Sequence, residues 1–180
     1  LENKSSQTIW YKSSPCFQDP RLSNLGSRIL SSLENLHLTI KKFSLKIQNQ
    51  ENYFQIAFEN GVPIKGLKNL QDNLFGLEAN FEKLSAIDFK KGCYIGQENT
   101  SRIKLRKKLR RRILPIKKIS GDILENDIIK YKDMEIGKIV IDKPYSFALI
   151  KVVDPDVKEF INTELTCGKS KVKILKPNWI

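Results

Sequence analysis

The sequence predicts an α+β unit followed by a small antiparallel β-barrel or sandwich. Three observations lead there. Apolar residues in the first hundred positions alternate between strand-like and helix-like spacing. A basic run at 104–112, KLRKKLRRR, then interrupts the chain. After it, about six short apolar or alternating stretches follow at roughly 8–12-residue intervals, the texture of a small all-β domain. The boundary falls at this run, giving units 1–103 and 104–180.

The elements follow in order. Gln7–Lys12, QTIWYK, is rich in β-formers and is predicted as a strand. SPCFQDPRLSNLGSR follows as a loop punctuated by Pro15, Pro20 and Gly26. Leu38–Ile47, LTIKKFSLKI, alternates well enough for a second strand. From Gln50 to Phe58, Tyr53, Phe54, Ala57 and Phe58 recur at helical spacing, and Gly61 and Pro63 stop the helix. A short helix fits Leu77–Leu84, with Leu77, Phe81 and Leu84 on one face. Glu78 and Glu82 would share another face of it, with Asn80 between them. Beyond the basic run, ILPIKK, DIIKY, MEIGKIVI, SFALIKVV, ELTC and KVKIL are the six expected strands.

Composition narrows the function. With 180 residues, 40% of them apolar and 29% charged, the chain can build a real core. No run of about 18 apolar residues is present, so no membrane-spanning helix and no membrane partner is expected. The first residues carry no signal-peptide pattern. The chain starts Leu-Glu-Asn without an initiator Met, and is expected to be part of a longer protein. Cys16, Cys93 and Cys167 are odd in number and scattered, which argues for a reducing compartment rather than a disulfide framework. The compartment expected is the cytoplasm, or the mitochondrial matrix in a eukaryote. His37 is the single histidine, so Cys/His zinc sites, HExxH chemistry and Cys-His or Ser-His-Asp catalysis are excluded within this chain. No metal site is expected. His37, between Leu36 and Leu38, reads as a core-edge residue.

The net charge of +12 is concentrated. Lys104–Arg112 holds seven basic groups and no acid, and the rest of the chain sums to +5. Such a segment attracts nucleic acid, an acidic partner, or a polyanionic ligand such as a polyglutamate tail. Long cationic stems lying over apolar surface would explain it equally well.

The stretch KKGCYIGQE, Lys90–Glu98, answers to no packing rule. Gly92 and Gly96 flank Cys93 and permit backbone shapes closed to other residues. Thiols beside cations such as Lys90, Lys91 and Arg102 favour the reactive thiolate. A buried small residue beside a turn is the plain alternative. One cysteine cannot hold an iron–sulfur cluster, which takes about four thiolates, so other chains or small molecules would have to supply ligands. Arg102 can clamp a carboxylate, and Glu98 can accept from an amine-bearing ring, although an ion pair between the two is the simpler account.

Lys91-Gly92-Cys93-Tyr94-Ile95-Gly96-Gln97-Glu98, followed by Arg102, resembles the K-G-C-Y-x-G-Q-E signature of the YgfZ family. These are folate-binding proteins related to the glycine-cleavage aminomethyltransferase, the T-protein, and they act in iron–sulfur cluster assembly. Asp19-Pro20-Arg21-Leu22 with Leu25-Gly26 and Arg28 is similar to the family's D-P-R-L…L-G-x-R stretch. Gly61-Val62-Pro63, Leu77–Gly92 and the ending Pro177-Asn178-Trp179 resemble family segments as well. The resemblance covers nearly the whole chain and only the C-terminal portion of a family member.

The resemblance implies the C-terminal part of a T-protein-like folate-binding α+β domain, then an antiparallel barrel. It implies a functional Cys93. It also implies a site for tetrahydrofolate or a derivative set by Glu78, Lys91, Gly92, Tyr94, Gly96, Gln97, Glu98 and Arg102. Iron–sulfur enzymes or assembly factors are the implied partners. The function expected is an accessory role in iron–sulfur cluster assembly or repair rather than conventional enzymology. The alternatives are a tetrahydrofolate-dependent one-carbon transferase and a tRNA-modification-associated RNA-binding module.

Overall fold

The computed structural model describes residues 8–71, 73–93, 95–105 and 109–180. Contacts divide the chain into two compact units, Leu1–Ile56 and Ala57–Ile180.

The first unit holds a three-stranded antiparallel sheet, β1 (Ile9–Tyr11), β2 (Ser14–Gln18) and β3 (Ser27–Ile29), in that order. This corrects the loop expected after Lys12. Lys12 and Ser13 turn the chain at φ of 46° and 61°, pairing Tyr11 with Ser14 in a two-residue hairpin. Two positive φ values are the geometry such hairpins favour, and the usual Asn or Gly that would signal them is missing here. Pro15, which has no N–H to donate, still accepts from Leu30 N–H through its carbonyl at 3.1 Å.

Helix α1 (Leu33–Lys42) replaces the strand expected over Leu38–Ile47. Ser32 Oγ accepts from Asn35 N–H at 3.3 Å, Glu34 lies in the first turn, and Lys41 and Lys42 lie in the last, all favourable to the helix dipole. Leu36, Thr39 and Ile40 form its more buried face, a helical period that begins upstream of the apparent alternation. Helix α2 (Gln50–Glu59) forms as expected and ends at Gly61, where φ is +71°.

In the second unit, residues 76–85 form turns instead of the helix expected over Leu77–Leu84. Asn80 sits at φ +64° and Ser85 at +56°, left-handed positions that interrupt a right-handed helix. Leu77 and Leu84 are buried as the pattern required, but Phe81 is exposed. Helix α3 (Gln97–Leu105) follows the cysteine segment and buries none of its residues fully.

The chain then builds a closed antiparallel barrel. Its strands are β4 (Arg111–Ser120), β5 (Ile128–Tyr131), β6 (Met134–Ile141), β7 (Phe147–Lys151), β8 (Leu165–Cys167) and β9 (Ser170–Ile174). They close in the order β4-β7-β6-β5-β8-β9, with β9 returning to β4 at Ile116↔Ile174. The fold is thus α+β with a closed six-stranded barrel. Leu114, Ile116, Ile129, Ile136, Ile139, Ile150, Leu165 and Val172 pack in the core, and Phe160 from the short helix α4 (Val157–Phe160) joins them with no exposed surface. The stretch Ile113–Ile116 is buried on both faces. Its second face belongs to another cluster, where Phe58 meets Phe147 edge-on at 5.6 Å and Tyr145 at 5.3 Å beside Ile113 and Ile141. Strands covered on both faces read as continuous apolar runs, which explains ILPI.

No helix among the described residues is long and apolar enough to cross a membrane.

Candidate functional site

The first residues of β4 are stitched to the turns at 75–85. Glu78 is buried, and its Oε1 accepts from Arg111 Nε at 3.0 Å and lies 3.0 Å from Arg111 Nη2. Its Oε2 accepts from Phe75 N–H at 3.2 Å, and its carbonyl accepts from Ile113 N–H at 2.9 Å. Asn80 has no exposed surface. Its Nδ2 donates to Ile113 O at 2.8 Å, and its Oδ1 accepts from Arg112 Nη1 at 3.0 Å. Burial lowers the pKa of Arg112, against the opposing pull of Glu82. Asn80 therefore satisfies buried polar groups that would otherwise cost stability.

Beside this junction lies a cavity of about 680 Å³. Phe75, Ile103, Leu109 and Val153 supply apolar wall, Arg110, Arg111 and Lys151 supply cations, and Glu78 and Asp154 supply carboxylates. Its size falls in the ordinary range for small-molecule sites. Arg111 also borders a more polar cavity of about 310 Å³ lined by Asn73, Glu125, Asn126 and Lys138 among others.

Cys93 is free and exposed. A Cβ placed on Gly92 or Gly96 would meet nothing within 4 Å, and Gly96 adopts φ +85°. Gly96 thus serves backbone shape, and neither glycine is needed for close packing. Asp88 Oδ1 accepts from Lys90 N–H at 2.8 Å where the chain enters this segment, and Ile95 is fully exposed beyond it. Cys167 is the contrast. It is fully buried, and burial, with Asp127 adding to it, pushes its thiol up to about 11.

Of the residues expected to form the site, Glu98 and Arg102 pair with each other one turn apart on α3. Lys91 is exposed and Gln97 half-buried. Tyr94 lies outside the described residues. Glu78 lines the larger cavity, and its carboxylate is engaged by Arg111. Among the described residues, that cavity's lining includes none of the signature positions 91–98. No group of three or more His, Cys, Asp or Glu among the described residues is placed to hold a metal ion. His37 is exposed on α1.

Of the four described cations in the basic run, three are paired within the molecule. Lys104 pairs with Glu82, Arg111 with Glu78, and Arg112 with Asn80, while exposed Arg110 lines the cavity. Arg106, Lys107 and Lys108 lie outside the described residues. Lys151 and Asp154 are cavity positions that the sequence did not mark, because nothing in the local sequence brings either beside Glu78.

Two of the other motifs meet. Trp179 Nε1 donates to Asn60 O at 2.9 Å, and a Cβ on Gly61 would lie 2.5 Å from Pro177 Cγ, so the G-V-P turn and the P-N-W ending require each other. In the first unit, the D-P-R-L…L-G-x-R residues form a charged knot. Buried Asp19 accepts from Arg21 Nε at 3.0 Å and Nη2 at 2.9 Å, and from Arg28 Nε at 2.8 Å. Arg21, chiefly through these bonds, holds the Asp19 carboxyl down at about 2. Tyr53 Oη completes the knot, 2.8 Å from Arg21 Nη2.

Comparison with known proteins agrees with this set of motifs. No protein-family model matches the chain. A mitochondrial iron–sulfur cluster assembly factor IBA57 homologue from Dictyostelium discoideum is 38% identical over 127 residues, 68% of this chain and 28% of that protein. The Neurospora crassa homologue is 30% identical over 148 residues, 82% of this chain and 30% of its own length. The chain belongs to the IBA57 family of iron–sulfur cluster assembly factors, within the YgfZ family. Human IBA57 is 32% identical over 101 residues, 56% of this chain and 27% of the human protein. The chain thus spans less than a third of the length of these IBA57 relatives.

Proposed function

We propose that this chain is the thiol-presenting portion of an accessory factor for iron–sulfur cluster assembly or repair, with Cys93 as the functional group and a reduced folate held nearby. The observation that carries the proposal is the presentation of Cys93: exposed, between two glycines with open space around them, while Cys167 of the same unit is sealed in the barrel. A thiol kept for packing has no need of that setting. Cluster or sulfur species are cargo here, and one thiolate requires further ligands from partner assembly factors or client enzymes. The mitochondrial names of the relatives support a reducing matrix as the compartment, where an exposed thiol persists.

The cavity beside Glu78 suits tetrahydrofolate by its donor set. Phe75, Leu109 and Val153 offer surface to a flat ring, and Arg110 and Lys151 offer cations to a carboxylate tail. Glu78 would act there chiefly by holding Arg111, since its carboxylate already accepts from that guanidinium. When bound, tetrahydrofolate would supply a carrier for one-carbon units.

The test is Cys93→Ser in the full-length protein, expressed in cells lacking the native factor. Activity of cluster-dependent enzymes should fall at least tenfold, while tetrahydrofolate titrated into the purified variant still binds. Undiminished enzyme activity would remove the thiol from the mechanism, and absence of folate binding in the unaltered protein would remove the cofactor.

A further inference from the structure

Helix α3 holds the end of the segment that carries Cys93, yet none of its residues is fully buried. Beyond half-buried Ile103, polar contacts help to fix it. Lys104, in its last turn, makes two contacts with the chain that precedes Cys93. Its Nζ lies 2.7 Å from Glu82 Oε1 and 3.6 Å from the centroid of the Phe89 ring. A cation that sits over an aromatic face and also pairs with a carboxylate is held by two contacts at once.

The position of these contacts matters more than their strength. Lys104 lies in the helix that follows Cys93, whereas Glu82 and Phe89 precede the thiol, so the two contacts tie together the chain on both sides of it. Asp88 fixes the entry to the segment through Lys90 N–H, and a Cβ on Gly92 or Gly96 would meet nothing within 4 Å.

We propose that Lys104 is the positioning residue for the Cys93 segment: through Glu82 and Phe89 it ties the chain before the thiol to the helix after it and so sets where the thiol is presented. This rests on the reading of Cys93 as the functional group and assigns to the first cation of the basic run a task within the molecule. Lys104 does not act on cargo itself.

The experiment compares full-length protein with Lys104→Met, Lys104→Arg and Glu82→Gln by hydrogen exchange read on a peptide covering 90–96. Lys104→Met should speed exchange there about tenfold and Glu82→Gln about threefold, with barrel peptides unchanged and Lys104→Arg restoring the unaltered rate. Unchanged exchange at 90–96 in both Lys104→Met and Glu82→Gln overturns the proposal, as does an equal acceleration in the barrel, which marks general destabilisation. A second readout is cluster-enzyme activity in cells. Lys104→Met should lower it, and adding Lys104→Met to Cys93→Ser should lower it no further. Additive losses overturn the proposal. If Cys93→Ser proves silent while exchange at 90–96 responds, the functional reading of the thiol falls and the positioning by Lys104 stands.

Discussion

Cys167 ends strand β8 with no exposed surface, its thiol pushed up to about 11, whereas Cys93 stands in the open on a glycine-flanked segment of the same compact unit. The two surroundings are built from different materials. Cys167 shares the barrel core with several isoleucines and Phe160, and none of its surface reaches solvent. Around Cys93, the described contacts include polar ties, Asp88 to Lys90, Glu98 to Arg102, and Lys104 to Glu82 and Phe89. The difference teaches that apolar burial is concentrated in the barrel, while the Cys93 segment is held by side chains that can exchange partners. A segment held that way can open locally without the barrel yielding.

The most severe way to break this contrast is in the barrel. Phe160→Ala removes a side chain with no exposure from the center of the core and should cost about 3–5 kcal/mol, measured by urea unfolding. A loss below 1 kcal/mol would mean the core collapses around the gap and the barrel is not the rigid partner in the comparison. The junction between the regions should lie next. Asn80→Ala deletes the bonds to Ile113 O and Arg112 and places a Cβ-branch-free but non-glycine residue at φ +64°. The expected cost is about 2–3 kcal/mol. Asn80→Gly keeps the backbone shape and loses only the bonds, so the difference between the two variants separates strain from hydrogen bonding.

The barrel was legible because each strand announces itself as an apolar or alternating run closed by turn residues, and the six runs after the basic segment become β4–β9. The first unit was harder. Lys12 and Ser13 make a hairpin turn without the residues that usually mark one, and α1 begins before the stretch that looks like a strand. Residues 77–84 carry a helical apolar period that Asn80 defeats by turning left-handed to reach Ile113 and Arg112. In the site, the glycines announced an unusual backbone around Cys93. The pairing of Glu78 with Arg111 was not legible, since the partners stand 33 positions apart and each looks like an ordinary solvated charge. Charge runs conceal structural pairs because the sequence shows the donor and never the acceptor that folding brings to it.

The smallest stability effect belongs to the thiol itself. Cys93→Ala removes one exposed sulfur from a segment where even the glycines have empty space beside them. No cavity forms, no buried polar atom loses a partner, and the backbone conformations that Gly92 and Gly96 supply are untouched. The unfolding free energy should therefore change by less than about 0.5 kcal/mol. Cys167→Ala, measured alongside, removes a buried sulfur from the barrel and should cost about 1 kcal/mol or more. The pair of measurements sharpens the comparison because the chemical change is identical and only the surroundings differ. Equal losses at both positions would show that the Cys93 segment is packed as tightly as the barrel, and the thiol would then be structural after all.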